Sequence, residues 1–408
     1  MKRMLAVAMI GASLPTLSAA AAPNRGAQYD LLHAFEGGTA DGGDPIGSLI
    51  DVKGTLYGTA YYGGANSAGA IFAIDAKTGA ESLVYSFKGN ADAAAPGSGF
   101  IQVGGLLYGT TYRGGSGPCP QGTTPGCGTI YSFDPKSGVE KVLYNFQNGA
   151  DGAIPVANLT NMGGTLYGTA EVGGGGSCTG GCGTVFSFDI STGVEKTIYA
   201  FKGGAIDGIY PEAPLLGLNG QLYGTTFLGG ATNGGTLFAV DPATGAETFF
   251  QSLAVGASPS GMLAAIGTIL YGTTQSAGDY EVGSIFALDT ATNTYTTLYS
   301  FKDQETGAYP TGGIIATGDT IYGTAEVGGS SQNCDLGLIY GCGTVFSFNP
   351  RSGKLKTLYS FQGINDGAYP FASLVKSGKF LYGTTAYGGH ANELCFDLVC
   401  GTAFKLSP

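Results

Sequence analysis

Leu56-Tyr57-Gly58-Thr59 is the first of seven copies of one tetrapeptide in this 408-residue chain. The copies begin at Leu56, Leu107, Leu166, Leu222, Leu270, Ile321 and Leu381, with Ile replacing Leu once. Successive copies are 48 to 60 residues apart, and self-similarity at such a period is the signature of a repeat architecture. We therefore expect one domain of seven similar units, although the length alone suggests two or three domains.

The unit from residue 155 to residue 201 shows what each copy encodes. It contains four short segments, which we name strands A to D, at residues 155–159, 165–172, 184–189 and 195–201. In strand C, Phe186 and Phe188 fall on one face and Val185 and Ser187 on the other, which is the alternation of a β-strand. Seven units of four antiparallel strands predict an all-β fold, a single seven-bladed β-propeller.

The seventh unit has no strand D of its own, because the chain ends just after its strand C at residues 401–406. Residues 31–35 match the strand D pattern, with His33 at the position that Tyr85 occupies in the first unit. We predict that this N-terminal strand pairs with the C-terminal strand and completes the seventh blade, which leaves no open edge in the ring. The predicted propeller spans residues 28–408.

Glycines and turns fit this scheme. The Gly of the tetrapeptide, such as Gly168, is expected to leave room for an aromatic ring from the neighbouring blade. The turn between strands C and D ends at Gly in five of six copies and at Asn293 in the other, and both residue types tolerate a left-handed backbone.

We interpret the Asp residues of these turns as turn formers; a calcium loop is the alternative, but the turns lack a dense run of oxygen ligands. The Asp-Gly pairs before strand A are also interpreted as turns: Asp151-Gly152, Asp207-Gly208 and Asp366-Gly367.

Other motifs recur in register with the tetrapeptide. They are a Gly-Gly pair, Gly-Thr-Val-Phe-Ser-Phe at residues 183–188, and a Tyr-x-Phe strand D. Together they resemble the GloVer tandem repeat of secreted bacterial proteins, and the resemblance covers residues 28–408. It implies an extracellular or surface location, and it implies no established activity.

The N-terminus reads as a secretory signal peptide, residues 1–21. Lys2 and Arg3 precede an apolar run at residues 4–17, and small residues follow at 18–22. Cleavage after Ala20 or Ala21 is expected. A membrane anchor is the alternative, but the run is shorter than the roughly 20 residues that span a bilayer. We expect a secreted protein, periplasmic or extracellular.

The composition excludes two classes of partner. The chain has 18 Lys and Arg against 29 Asp and Glu, and its net charge of −11 becomes −13 once Lys2 and Arg3 are removed with the signal peptide. No basic cluster is visible, and binding to phosphates needs clustered Lys and Arg. We expect no nucleic acid partner, no membrane span after signal removal, and a monomer.

Chain direction separates the two faces of the ring. The D–A and B–C connections share one face, which we name the loop face, and the A–B and C–D turns share the other, the turn face. The turns are short and uniform, whereas the B–C loops range from residues 63–69 to the long loops at 114–128 and 328–343. Long variable loops on a rigid scaffold are where binding usually occurs, so we assign the ligand site to the loop face.

All eight cysteines lie in four B–C loops, two in each loop. An even count in a secreted chain favours disulfides, and local pairing is favoured because each pair flanks one hairpin loop. The predicted pairs are Cys119–Cys127, Cys178–Cys182, Cys334–Cys342 and Cys395–Cys400. Zinc binding is the alternative, although one pair supplies only two thiolates. No metal site and no cofactor are expected.

The candidates for catalysis on the loop face are His390, Glu171, Glu326 and Arg113. Glu171 and Glu326 both occur in Thr-Ala-Glu-Val-Gly-Gly, and a glycosidase needs two carboxyl groups about 5–10 Å apart. They come from blades 3 and 6, so we expect a larger separation. A Ser-His-Asp triad would have to use His390, and no Gly-x-Ser-x-Gly motif accompanies it. His33 is interpreted as structural, because it occupies a repeated Tyr position.

Eight tyrosines are the candidates for ligand binding: Tyr62, Tyr112, Tyr210, Tyr280, Tyr309, Tyr340, Tyr369 and Tyr387. Tyr combines apolar area with a hydroxyl group, which suits stacking on sugar rings, and packing between blades is the competing explanation. We expect a secreted binding or interaction protein that recognises an extracellular glycan or surface protein. A polysaccharide lyase or glycoside hydrolase on the same face is the alternative, by analogy of fold.

Overall fold

Seven four-stranded antiparallel sheets form the fold, and each sheet is one blade of a β-propeller. The protein is seen in a computed structural model, which describes residues 27–90, 92–119, 125–334, 341–363, 365–389 and 400–408. Each blade has the strand order A-B-C-D from one edge to the other. The predicted all-β, seven-bladed propeller is confirmed.

The first four blades have these strands, in the order A to D: Ile50–Val52, Thr55–Ala60, Ala70–Asp75 and Glu81–Ser86 in blade 1; Ile101–Val103, Leu106–Thr111, Thr129–Asp134 and Val139–Asn145 in blade 2; Thr160–Met162, Thr165–Ala170, Thr184–Asp189 and Val194–Ala200 in blade 3; Leu216–Leu218, Gln221–Thr226, Thr236–Val240 and Glu247–Ser252 in blade 4. The others are Ala264–Ile266, Ile269–Thr274, Ser284–Asp289 and Thr294–Ser300 in blade 5; Ile314–Thr317, Thr320–Ala325, Thr344–Asn349 and Lys354–Ser360 in blade 6; Val375–Ser377, Phe380–Thr385, Thr402–Ser407 and Gln28–Ala34 in blade 7.

Short elements join the loops of the loop face. Three two-stranded ribbons connect a D–A loop to the B–C loop of the blade that follows it: Gly42–Gly43 with Tyr62–Gly63, Ala93–Ala94 with Arg113–Gly114, and Gly208–Ile209 with Leu228–Gly229. One turn of 3-10 helix, Gly204–Ile206, precedes the third ribbon. Among the described residues, no helix is long and apolar enough to cross a membrane.

The two chain ends meet in blade 7. Gln28–Ala34 pairs antiparallel with Thr402–Ser407, with Gln28 opposite Ser407 and Ala34 opposite Thr402. Tyr29 also stacks on Tyr359 of blade 6, with ring centroids 4.3 Å apart. The predicted closure of the ring is confirmed.

Aromatic rings pack neighbouring blades together. The Phe of the Tyr-x-Phe motif in one blade is almost fully buried and meets a strand C ring of the next blade edge to face. The ring centroids are 5.1 Å apart for Phe146 and Phe186, and 5.0 Å apart for Phe201 and Phe238. Burial of one such side chain contributes roughly 2–3 kcal/mol, so this repeated contact is a main source of stability.

Two details of the sequence interpretation are corrected. Strand A of blade 3 is Thr160–Met162, not residues 155–159, because Pro155 has no N–H for a ladder and its neighbours line the centre of the loop face. The space beside Gly168 is filled from its own blade: a Cβ there would lie 2.5 Å from the ring of Phe186, the residue directly opposite on strand C. Residues opposite each other on antiparallel strands share a face, which explains this contact.

The Asp-Gly pairs before strand A do more than form turns. Asp151 Oδ2 accepts hydrogen bonds from the Gln147 N–H at 2.7 Å and from the Tyr144 hydroxyl at 3.0 Å. Asp207 accepts in the same way from the Tyr199 hydroxyl, at 3.0 Å. Each of these Asp residues therefore ties strand D to the loop that follows it.

Five of the six C–D turns begin at Asp, and the sixth begins at Asn349. Asp134 Oδ1 accepts the Lys136 N–H at 2.9 Å, and its Oδ2 accepts the Ser137 hydroxyl at 2.8 Å. The last turn residue has a positive φ in each copy, 69° at Gly138 and 55° at Asn293. The requirement for a left-handed residue is confirmed.

Candidate functional site

The loop face is built by interlocking loops. In six of the seven blades, the residue that follows strand B donates its N–H to the residue before the D–A proline, as Glu171 does to the Ile154 carbonyl at 3.0 Å. That residue in turn donates its N–H to the B–C loop of the preceding blade, as Tyr210 does to the Cys182 carbonyl at 3.0 Å. Each blade therefore positions the loop of its neighbour, and the face forms one continuous ring.

The residue before each D–A proline has a left-handed backbone. The φ angles are 56° at Asp44, 53° at Ala95, 59° at Ile154, 59° at Tyr210, 41° at Ser258, 55° at Tyr309 and 56° at Tyr369. A residue before Pro normally adopts an extended backbone, and a β-branched residue such as Ile154 is especially unfavourable at positive φ. Strain of this kind is found at ligand sites, where the surrounding structure maintains it.

Disulfides brace three B–C loops. The structure joins Cys119–Cys127, Cys178–Cys182 and Cys334–Cys342, each with a Cα separation of 5.0 to 5.1 Å. Cys400 is also disulfide-bonded, and its predicted partner Cys395 lies outside the described residues. Within the described chain no cysteine is free, so the zinc alternative finds no thiolate there.

A cavity of about 90 Å³ lies at the centre of the loop face. Its wall includes the residue that follows the D–A proline in six of the seven blades: Ile46, Val156, Glu212, Ser260, Thr311 and Phe371. This position is chemically different in each blade, although the backbone around it is repeated. The repeated backbone therefore builds the cavity wall, and the side chain after each proline determines the chemistry of that part of the wall.

Half-buried carboxyl groups belong to this face. Burial raises the pKa of Asp44 to about 6 and the pKa of Glu326 to about 7. Burial and then the charge of Glu171 raise the pKa of Glu212 to about 7, and burial raises that of Glu171 itself. Thr311 Oγ1 lies 3.5 Å from Glu326 Oε2, in hydrogen-bonding geometry.

The structure gives Glu171 and Glu326 different neighbours. Glu171 is coupled to Glu212 of the next blade, whereas Glu326 contacts Thr311 of its own blade. Glu212 was not predicted from the sequence, because the repeated Thr-Ala-Glu-Val-Gly-Gly motif singles out only Glu171 and Glu326. Its signal was available, because Glu is the one acidic residue among the seven that follow a D–A proline.

The predicted tyrosines form two groups. Tyr61, another residue that was not predicted, contacts Tyr62 and Tyr112, with ring centroids 4.7 and 5.5 Å away. In the second group, Tyr369 and Tyr387 meet edge to face, with ring centroids 5.3 Å apart. Arg113 lies by the first group, where its charge opposes the rise that burial causes in the pKa of Tyr61.

The other predicted residues are distributed around the ring. Tyr280 is 56% exposed and Tyr62 is 50% exposed, whereas Tyr210 and Tyr309 are half-buried. The candidates Tyr340 and His390 lie outside the described residues. Of the predicted residues that the structure describes, no contact gathers all the side chains at one point.

The loop face is strongly acidic. Its described D–A and B–C loops contain fourteen acidic and four basic residues, whereas the turns and the Asp residues that begin them contain six acidic and five basic residues. The four basic residues of the loop face are Lys88, Arg113, Lys202 and Lys302. Acidic residues therefore outnumber basic residues on this face more than threefold.

The fold and these loops define a disulfide-bonded β-propeller whose blades are sequence repeats. The chain belongs to the Gloeobacter/Verrucomicrobia repeat family, whose sequence model matches residues 20–121 and 175–396. The resemblance found in the tetrapeptide and its companion motifs is thus confirmed. A search of curated proteins found no match.

Solved structures share the fold at low sequence identity. An oligogalacturonate lyase from Vibrio parahaemolyticus is 10% identical, with a TM-score of 0.55 over 93% of this chain and 93% of that chain. An oligogalacturonate lyase in complex with manganese is 11% identical, with a TM-score of 0.53 over 94% and 96% of the two chains. The computationally designed Ika8 protein is 13% identical, with a TM-score of 0.50 over 93% and 99%. At these identities the likeness shows the fold alone.

Proposed function

We propose that this protein is a secreted binding protein that recognises an extracellular glycan at the centre of its loop face. The observation that carries the proposal is the set of tyrosines and half-buried carboxyl groups on the loop face, of which Glu212 lines the central cavity. Tyr62, Tyr61 and Tyr112 form a contiguous aromatic surface, and sugar rings stack on such surfaces through their C–H faces. A ribbon holds each of these two loops in place before a ligand arrives, and the Cys119–Cys127 disulfide also braces the loop that follows Tyr112, which lowers the entropy lost on binding.

The charge of the face selects among glycans. Fourteen acidic residues against four basic ones would repel a polyuronate and would favour a neutral or amine-bearing polysaccharide. Carboxyl groups are good acceptors for sugar hydroxyl and ammonium donors. The proposed ligand therefore differs in charge from oligogalacturonate, the substrate in the name of two proteins with the same fold.

Secretion is part of the proposal. Three disulfides support folding in an oxidising compartment, since cytosolic thiols are kept reduced. Residues 1–21 would be the signal peptide, and N-terminal sequencing of the exported protein should find a first residue of Ala21 or Ala22. A surface protein is the other ligand class that such a face could accept, and it forms one arm of the test below.

The test compares binding to a neutral glucan, to chitosan, to polygalacturonate and to a panel of surface proteins. We expect the neutral or the amine-bearing polymer to bind, and Tyr62→Ala and Tyr112→Ala to weaken that binding at least tenfold, about 1.4 kcal/mol. Val139→Ala is the matched control, because Val139 is an exposed apolar residue at the turn face. Folded protein that binds no glycan, or equal losses in all three variants, would contradict the proposal.

A glycoside hydrolase is the second candidate, and one observation favours it. Glu212 and Glu171 come from adjacent blades, and the pKa of Glu212 is raised to about 7, a value that suits a general acid. Product analysis after incubation with the polymer that binds would separate the two functions. Hydrolysis that disappears in Glu212→Gln would establish the enzyme, and binding without products would leave the binding protein.

A further inference from the structure

A cluster of three side chains recurs at the outer rim between neighbouring blades. It consists of an aromatic residue of strand D, an Asp of the following D–A loop, and a Glu from strand D of the next blade. Between blades 1 and 2, the Tyr85 hydroxyl lies 3.1 Å from Asp92 Oδ2 and 3.1 Å from Glu140 Oε2. The hydroxyl therefore lies between two carboxyl groups and bonds both. Tyr144 and Tyr199 occupy the same place at the next two junctions.

The junction between blades 7 and 1 replaces this tyrosine with His33. The His33 Nε2 atom lies 3.1 Å from Asp41 Oδ2. One ligand atom each from His33, Asp41 and Glu81 can be chosen so that all three lie within 4.8 Å of one another. One imidazole nitrogen and two carboxylate oxygens form a donor set suited to divalent ions between Mn²⁺ and Zn²⁺. Atoms bound to one such ion lie at most about 4.2 Å apart, so only a small movement is required.

Backbone N–H groups around the cluster fix the Asp41 carboxylate, whereas one oxygen of Glu81 has no hydrogen-bond partner in the described part of the chain. Asp41 is only 8% exposed, and the N–H groups of Glu36 at 2.8 Å and Gly42 at 2.6 Å fix its carboxylate. Glu81 Oε1 is shielded from solvent and has no hydrogen-bond partner among the described residues, and the same is true of Glu140 Oε1 in the sister cluster. The clusters differ in the group that lies between the two carboxyl groups: the Tyr85 hydroxyl bonds Glu140 Oε2 in the sister cluster, whereas an imidazole takes the place of the tyrosine at this junction.

We infer that His33, Asp41 and Glu81 bind one divalent transition-metal ion that fastens the closing strand of the ring to blade 1. His33 lies in Gln28–Ala34 and Glu81 lies in Glu81–Ser86, so the ion joins the N-terminal strand to a strand of the next blade. The ion acts as a structural clamp between these two strands. This site is at the rim and is separate from the glycan site proposed at the centre.

The test measures Zn²⁺ and Mn²⁺ binding to the chelator-treated full-length mature protein by isothermal titration calorimetry and by the shift in melting temperature. We expect one ion per chain and a higher melting temperature with the ion. His33→Tyr should fold, because tyrosine occupies the equivalent position at other junctions, and it should bind at least tenfold more weakly. Glu81→Gln should also lose affinity.

Two further variants make the test specific. Tyr85→His recreates the donor set at the next junction, so the chain should then bind two ions. His390→Ala removes the other histidine and should leave the stoichiometry at one. Absence of binding in the wild type would overturn the inference. Equal binding by wild type and His33→Tyr, or loss of binding in His390→Ala, would do the same.

Discussion

The pKa values of carboxyl groups are shifted in opposite directions on the two faces of this propeller. On the turn face, the Lys136 N–H and then the Ser137 hydroxyl bond Asp134 and lower the pKa of its carboxyl group. On the loop face, burial raises the pKa of Glu212 and of Glu326 to about 7. Carboxylates on the first face stabilise turns, whereas those on the second are kept out of water at a cost in stability. Such a cost is typical of a surface retained for binding.

The backbone repeats this contrast. Positive φ angles in the C–D turns fall on Gly or Asn, which accept them with little strain. The same region of φ is imposed on Ile154 and Tyr210 before the D–A prolines, where no such residue relieves it. The turn face therefore repeats residues that suit its backbone, whereas the loop face holds different residues in one strained backbone conformation.

Both faces depend on closure of the ring, so we expect removal of the closing strand to have the largest effect, the loss of both faces together. Deletion of residues 28–36 should abolish cooperative unfolding, because it exposes the edge of Thr402–Ser407 and removes the buried Phe35. Calorimetry and circular dichroism would measure the loss. Deletion of residues 22–26, which precede the strand, is the control and should change little. A truncated chain with unchanged melting behaviour would contradict the closure.

Loss of one disulfide should weaken the loop face selectively. The double substitution Cys178→Ala with Cys182→Ala should lower the free energy of unfolding by about 2–3 kcal/mol, because the unfolded chain is no longer constrained. Denaturant unfolding checks this value, with Thr179→Ala in the same loop as the control. An effect no larger than that of the control would show that the bridge does not brace the loop.

Replacement of one carboxyl group by a neutral amide should change the stability in opposite directions on the two faces. Glu212 has a raised pKa, so its contribution to stability is present below about pH 4.5 and is lost as the pH rises through about 7. Glu212→Gln should therefore stabilise the protein by about 2 kcal/mol at pH 8 and hardly at pH 4.

Asp134→Asn is the matched variant on the turn face. The pKa of Asp134 is lowered, so its contribution is present at neutral pH and is lost as the pH falls below about 3.8. The substitution should slightly destabilise the protein at pH 8. Melting temperatures of both variants between pH 3 and pH 8 test the pair, and changes of the same sign would remove the proposed difference between the faces.

Much of the fold was predictable because the repeat presents the same pattern seven times. Alternation at Phe186 and Phe188, for example, recurs at Phe346 and Phe348, so a local ambiguity in one copy is resolved by the others. Counting strands also located the closing strand. The bounds of strand A were wrong, because the apolar residues after Pro155 face the centre of the ring without joining a ladder.

The candidate site was less predictable because it depends on neighbours that are distant in sequence. Glu171 and Glu212 are coupled across a blade junction, and no spacing rule connects a strand end to the loop of the next blade. The rim cluster of His33, Asp41 and Glu81 arises in the same way, since the closing strand brings the first of these to blade 1. Tyr61 could have been identified, because it occupies the same repeat position as Glu171.

Direct titration of the carboxyl groups tests the contrast between the two faces most directly. Carbon-13 NMR of the side-chain carboxyl signals, assigned with Glu212→Gln, Glu326→Gln and Asp134→Asn, would report each pKa in the folded protein. We predict that Glu212 and Glu326 titrate near 7 and that Asp134 titrates below its ordinary value of 3.8. Titration of all three groups near pH 4 would contradict the account.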